Sequence, residues 1–301
     1  METENVAINS QPSSGFSKVI SALDRVNPVT HWLFYIAGGV LALYTLLVAL
    51  DVVLRYIFNM PLQFTQDVGG MVMTVFLFLA AGWVQVEKGH MVIDVISNKL
   101  SRKANLILSL AMYIVCLVVT GMIVWRSSLI TVSFLEMGSK TQSGTPLFPS
   151  AVMIPIGSLF LFIALLRDTL SFIQESIQLK TGWIGWLLAI GSPIVILILM
   201  AMGMMGAFSG IDLNVLGLIT VLLLFLVMFL GMPLGLTFIL FSVVLTGFAS
   251  GPSAGFMLAG RTLYTQTADY GWSVIPLFTF MSFIFMASGM GTECFLAAYK
   301  W

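Results

Sequence analysis

Eight nearly unbroken apolar stretches punctuate this 301-residue chain, at residues 32–57, 68–86, 104–125, 149–173, 183–205, 213–230, 234–248 and 272–288. Most approach the ~20 residues that a helix needs to cross a hydrocarbon core ~30 Å thick, the seventh being short. Helices are the open structures that satisfy their own backbone inside lipid, so the pattern predicts an all-α polytopic membrane protein of about eight transmembrane helices. Composition agrees. Only 9% of the residues are charged and 59% are hydrophobic, against ~25% charged residues in ordinary soluble domains. A water-facing fold with so few charges could not cover its surface. The formal net charge is zero, which gives no footing for a nucleic-acid partner.

The N-terminal 30 residues are largely polar. The apolar run behind them is longer than the ~7–15 residues of a signal-peptide core and carries no Ala-x-Ala cleavage site, so it reads as a permanent first span. Cys116 and Cys294 lie far apart inside apolar runs and make neither a disulfide framework nor a metal site. With the N-terminus inside, the cytoplasmic face receives Lys18, Arg25, Lys88, Lys99, Arg102, Lys103, Arg167, Lys180 and Lys300. The outer face receives Arg55, Arg126, Lys140 and Arg261. This positive-inside bias places the N-terminus in the cytoplasm.

A polar interruption at 167–181 divides four spans from the four that follow. Residues 91–100 mix apolar and polar positions, as either an amphipathic interfacial helix or a solvated connector would. Gly231, Pro233 and Gly235 lie between two apolar runs with almost no loop, predicting a tight cytoplasmic turn or a kink. The Gly-x-x-x-Gly spacings Gly231/Gly235 and Gly247/Gly251 permit close helix approach. Residues 252–270, with Arg261, Gln266 and Asp269, are expected along the outer membrane surface.

Catalytic groups are sparse. His31 and His90 are the only histidines, and no zinc-protease or phosphate-loop motif occurs. A Gly-x-Ser-x-Gly match at Gly251, Ser253 and Gly255 follows a membrane span rather than a strand, so it lacks the context of a nucleophile elbow. The chain is not expected to be an enzyme. Three ionisable residues stand out near the outer ends of the first two spans. Asp51 and Arg55 are one helical turn apart and can pair, and Asp67 opens the second span. Either Arg55 and Asp67 meet, fixing the hairpin or docking it on the partner module, or Thr65 or Asp67 caps a helix while Arg55 snorkels to the interface. His90 and Asp94, four residues apart, are a structural pair or a proton relay.

Several ordered motifs carry a family resemblance. Arg55-Tyr56-Ile57-Phe58-Asn59-Met60-Pro61 resembles the Arg-Tyr-x-Phe-Asn-x-Pro signature of DctQ-type small subunits of TRAP transporters. Phe64-Thr65-Gln66-Asp67 stands where that family has a Trp-Thr-Glu-Glu-like stretch, and Gly89-His90 with Asp94 is similar to its Gly-His-x-x-x-Asp pattern. Pro155-Ile156-Gly157 on the fourth span also fits. Further on, Gly231-Met232-Pro233-Leu234-Gly235 and Ile275-Pro276-Leu277-Phe278 are similar to motifs that open the DctM-type large subunit.

The resemblance implies a cytoplasmic tail (1–30), a DctQ-like four-helix module (31–178), a linker helix (179–210) and the first part of a DctM-like module (211–301), the whole appearing as a truncated fusion. It implies import of an organic acid across a bacterial inner membrane, driven by sodium and fed by a periplasmic solute-binding protein. The other partners would be the remainder of the large subunit and the bilayer. Sodium and substrate ligands would then lie outside this chain, and no cofactor is implied. Two rival readings are a tricarboxylate-type binding-protein-dependent carrier and a non-transporting assembly subunit of a membrane complex.

Overall fold

The structure is a computed structural model, and it describes residues 16–93, 95–141, 143–205 and 212–300. The described chain is helical, with one isolated β-bridge between Lys140 and Pro146 in a loop. In chain order the helices are α1 (Phe16–Asp24), α2 (Asn27–Ile57), α3 (Thr65–Val86), α4 (Arg102–Glu136), α5 (Phe148–Ala151) and α6 (Met153–Gln178). Then follow α7 (Trp183–Met204), α8 (Leu213–Phe229), α9 (Leu234–Ser250), α10 (Pro252–Thr267), α11 (Val274–Ala287) and α12 (Met290–Tyr299).

Helix starts and stops follow local chemistry. Pro28 sits in the first turn of α2, where no N–H partner is needed. Ser101 and Asp212 cap α4 and α8 by accepting from the Ala104 and Asn214 amides. Six helices end the same way, with a left-handed residue just past the cap: Asn59, Lys88, Gly138, Lys180, Gly231 and Gly289. The reversed backbone lets amides beyond the helix satisfy its last carbonyls, as Gly89 N does for Val84 O at 2.8 Å and Thr181 N for Ser176 O at 3.1 Å.

Among the described residues, six helical stretches are long and apolar enough to cross a membrane, at 16–57, 65–86, 102–136, 148–178, 183–203 and 270–287. The other two expected spans, Asn214–Phe229 and Leu234–Ser250, are apolar but shorter. Gly231 and Gly251, with φ of +95° and +90°, together with Pro233, cut these runs before they reach full length. The polar residues 167–178 belong to α6, which continues to Gln178, so the connection to α7 is confined to 179–182. Residues 91–100 contain a 3-10 turn at Ser97–Lys99 and no α-helix among the described residues, so neither the full interfacial helix nor a free connector describes them.

In the first half, α3 packs on α2 and α6, and α6 packs on α4. In the second half, α9 packs on α7, α8 and α10. The halves meet along α4, which touches α7, α9 and α10. One apolar core runs through that seam, joining Cys116, Val119 and Leu165 to Met232, Phe241 and Val244. Apolar side chains gain little from leaving lipid, so close packing rather than water exclusion holds such a seam.

In each Gly-x-x-x-Gly spacing the second glycine faces open space. A Cβ on Gly235 or Gly251 would meet nothing within 4 Å, and Gly231 and Gly251 serve turns. Close approach falls instead at Gly157, where a Cβ would strike the Phe78 carbonyl of α3, and at Gly70, where it would strike the Ala268 carbonyl.

Candidate functional site

Two polar knots stand at opposite ends of the first four spans. At the end expected to face outward, Asp51 is 1% exposed. Its Oδ2 accepts from Arg55 Nη2 at 2.5 Å and its Oδ1 accepts from the Leu62 amide at 2.7 Å. The carboxylate therefore ties α2 to the turn that leads into α3, and Thr65 Oγ1 donates to Leu62 O at 2.9 Å in the same turn. Asp67 points elsewhere: its Oδ2 accepts from the Ser143 amide at 3.0 Å, joining the start of α3 to the loop between α4 and α5. The contact weighed between Arg55 and Asp67 is thus replaced by two separate ones. Asp67 is not the N-cap of α3, which is Phe64 without a side-chain cap.

The inner knot is larger and centres on Asp168, whose side chain is 5% exposed. Lys88 reaches its Oδ2 across the turn after α3, and Gln85 Nε2 donates to the same oxygen at 2.7 Å. Arg167 Nη1 donates to Oδ1 at 3.1 Å, while Arg167 Nε donates to Asp24 Oδ1 at 2.9 Å. The Lys88 ammonium also lies 5.6 Å from the centre of the Tyr113 ring. Two cations and two carboxylates from α1, α6 and the end of α3 neutralise one another there. Such a set is stable near a membrane only because every charge has a partner.

Beside this knot, Met91 and Ile96 dock on the turn between α8 and α9. Leu234 N donates to Met91 O at 3.0 Å and Ile96 N to Phe229 O at 3.4 Å. Gly231, Pro233 and Gly235 thus form a turn clipped to the loop that follows α3. His90 sits at the root of that loop. Burial pushes its pKa below 6.5, and a hydrogen bond to the Ala81 backbone pulls the other way. Its Nε2 is buried and meets no hydrogen-bond partner among the described residues. Asp94 lies outside the described residues, so the spacing from His90 to Asp94 finds no geometry here.

An apolar cavity of about 580 Å³ lies between α2, α3 and α11, lined by Leu41, Thr45, Met73, Phe76, Trp272 and Phe280 among others. Its hydroxyls are spent within their own helices: Thr45 donates to Leu41 O and Thr279 to Ile275 O. With no charged group in its lining, this cavity is built for hydrocarbon and cannot hold a carboxylate. No group of three metal-ligating side chains occurs among the described residues.

Residues 44–175 match the family model for the tripartite ATP-independent periplasmic transporters, DctQ component. That segment is DctQ-like. No curated protein matches the chain at a significant level. The DctQ-like segment runs from within α2 almost to the end of α6. It contains the whole outer knot and, apart from Asp24, the whole inner one.

No motif in the sequence points to the inner knot, which joins residues as far apart as Asp24 and Asp168. By charge pattern alone Lys88 is an orienting charge, and Arg167 with Asp168 opens a boundary. A signal was present, because Asp168 falls inside the apolar stretch 149–173, where an ionised side chain is costly without a partner.

Proposed function

We propose that this chain is a membrane subunit of a TRAP-type secondary transporter. In this reading it combines a DctQ-like module over residues 31–178, a joining helix over 179–210 and a DctM-like portion over 211–301. The transporter imports an organic acid, such as a dicarboxylate or acidic sugar, from a periplasmic solute-binding protein, using an inward sodium gradient across a bacterial inner membrane. The observation that carries the reading is the DctQ match over residues 44–175. The geometry supports a scaffold role, since both knots pair their charges internally and the cavity between α2, α3 and α11 is apolar.

The test is uptake in proteoliposomes holding this chain with the membrane and binding proteins encoded beside it. Labelled dicarboxylates, acidic sugars and tricarboxylates are offered with and without an inward sodium gradient. Accumulation that needs both sodium and the binding protein is the expected result. Uptake confined to tricarboxylates would favour the rival carrier class. Absence of uptake from a fully assembled complex would favour an assembly subunit.

A further inference from the structure

The cavity between α2, α3 and α11 has a cause in the residues. Gly38 and Ala42 stand one turn apart on the α2 wall and bring almost no side chain to it. A Cβ on Gly38 would meet nothing within 4 Å. Across the gap α11 presents Ile275, Pro276, Thr279 and Phe283, and none of the residues of α11 is buried. α11 touches α2 without closing on it, and a cleft is left between them.

The walls set what can fill that cleft. Their polar side chains are all spent: Thr45 donates to Leu41 O, Thr279 to Ile275 O, and Trp272 Nε1 to Gln266 O at 2.8 Å. Water needs two to four polar partners and finds no free side-chain group there. An empty cleft would forfeit dispersion contacts along its whole lining. Leu46, Leu77, Ile275 and Phe283 line the cleft and are exposed, and they lie on three stretches apolar and long enough to cross a membrane. The cleft is thus continuous with surface that lipid hydrocarbon covers, whereas Thr45 and Met73 in its lining are buried. Its length suits the same hydrocarbon. From Gly38 to Leu46 on α2, and from Ile275 to Phe283 on α11, a rise of 1.5 Å per residue gives about 12 Å. One acyl chain reaches across half of a hydrocarbon core, or ~15 Å.

We propose that this cleft holds one acyl chain of a membrane phospholipid, wedged between α11 and the α2–α3 pair. The acyl chain supplies the packing that α11 lacks, and Gly38 and Ala42 are the residues that admit it. The proposal needs only the membrane-spanning architecture and is independent of the transport reading.

The test uses the full chain in the membranes of cells fed a diazirine-bearing fatty acid, which they build into their phospholipids. Membranes are irradiated directly, or after extraction and extensive washing in detergent, and the adducts are mapped by peptide mass spectrometry. Leu187, exposed on α7 and outside the cleft, reports lipid that merely surrounds the protein. Before washing, adducts are expected at Thr45, Met73 and Leu187. After washing, those at Thr45 and Met73 should persist while the one at Leu187 falls several-fold. Gly38→Leu with Ala42→Phe fills the cleft from two exposed positions. That variant should lose the Thr45 and Met73 adducts and keep both the Leu187 adduct and the elution volume of the parent chain. Adducts at Leu187 with none at Thr45 or Met73 would show that protein covers or closes the cleft, and would overturn the proposal. Adducts at Thr45 and Met73 that wash away together with the one at Leu187, or that survive filling of the cleft, would overturn it equally.

Discussion

Lys88 and Lys180 hold the same strained backbone for the same reason, since each turns the chain out of a helix, at φ of 56° and 47°. A left-handed conformation costs a residue with a Cβ about 1–2 kcal/mol, which glycine avoids. A lysine there recovers about 0.3–1 kcal/mol by facing the negative end of the helix dipole. At Lys180 the described residues offer no ion pair, so Lys180→Gly should stabilise the protein by about 0.5–1 kcal/mol. At Lys88 the ammonium also serves buried Asp168. Removing it leaves that carboxylate short of a partner at a cost of about 1–3 kcal/mol, so Lys88→Gly should destabilise. Thermal midpoints of the two variants in one detergent decide the matter: opposite signs are expected, and a gain at both positions would show that the Lys88 contact adds nothing.

At the scale of the helices, what the residues disclosed was length, polarity and ends. Apolar length found every long span, and Gly231 with Pro233 marked a real break. Spacing of small residues was a poorer guide to which helices touch. Gly-x-x-x-Gly reports only that glycines share a face, whereas contact depends on what the other helix presents there. Gly157 is the informative case. It lay in the Pro155-Ile156-Gly157 motif, and the structure shows the Phe78 backbone of α3 pressed against it. A carbonyl cannot rotate away as a side chain can, so Gly157→Ala should force α3 from α6 and cost about 1–3 kcal/mol or more. Gly235→Ala, facing open space, should fall between neutral and a gain of about 1 kcal/mol. Similar losses at both positions, measured by thermal unfolding, would mean that helix approach at Gly157 is looser than the structure has it.

For the molecule as a whole, the question is whether the two halves on either side of 179–182 are one body or two. The polar interruption suggested a division along the chain, and nothing in the linear text could show that α4 would be shared sideways. The seam has three supports. Apolar packing joins Cys116, Val119 and Leu165 to Met232 and Phe241 in its middle. Polar contacts lie around α10, where Arg126 Nε donates to Phe256 O at 2.9 Å and the hydroxyls of Ser150 and Tyr264 meet at 3.1 Å. Those of Thr74 and Thr267 meet at 3.2 Å, and at the opposite end lies the backbone clip between Met91 and Leu234. Hydrogen bonds between membrane helices average about 0.6 kcal/mol each, so no single contact decides the outcome. Their spread over the whole height of the bundle does, because the halves cannot part without opening the apolar core as well. A protease site placed within 179–182 and cut in detergent should therefore leave two fragments that still elute together on size exclusion. Truncating Thr74, Ser150 and Arg126 together should loosen that association without releasing it. Fragments that separate on cutting alone would mean that the short connection, and not the packing along α4, keeps the halves together.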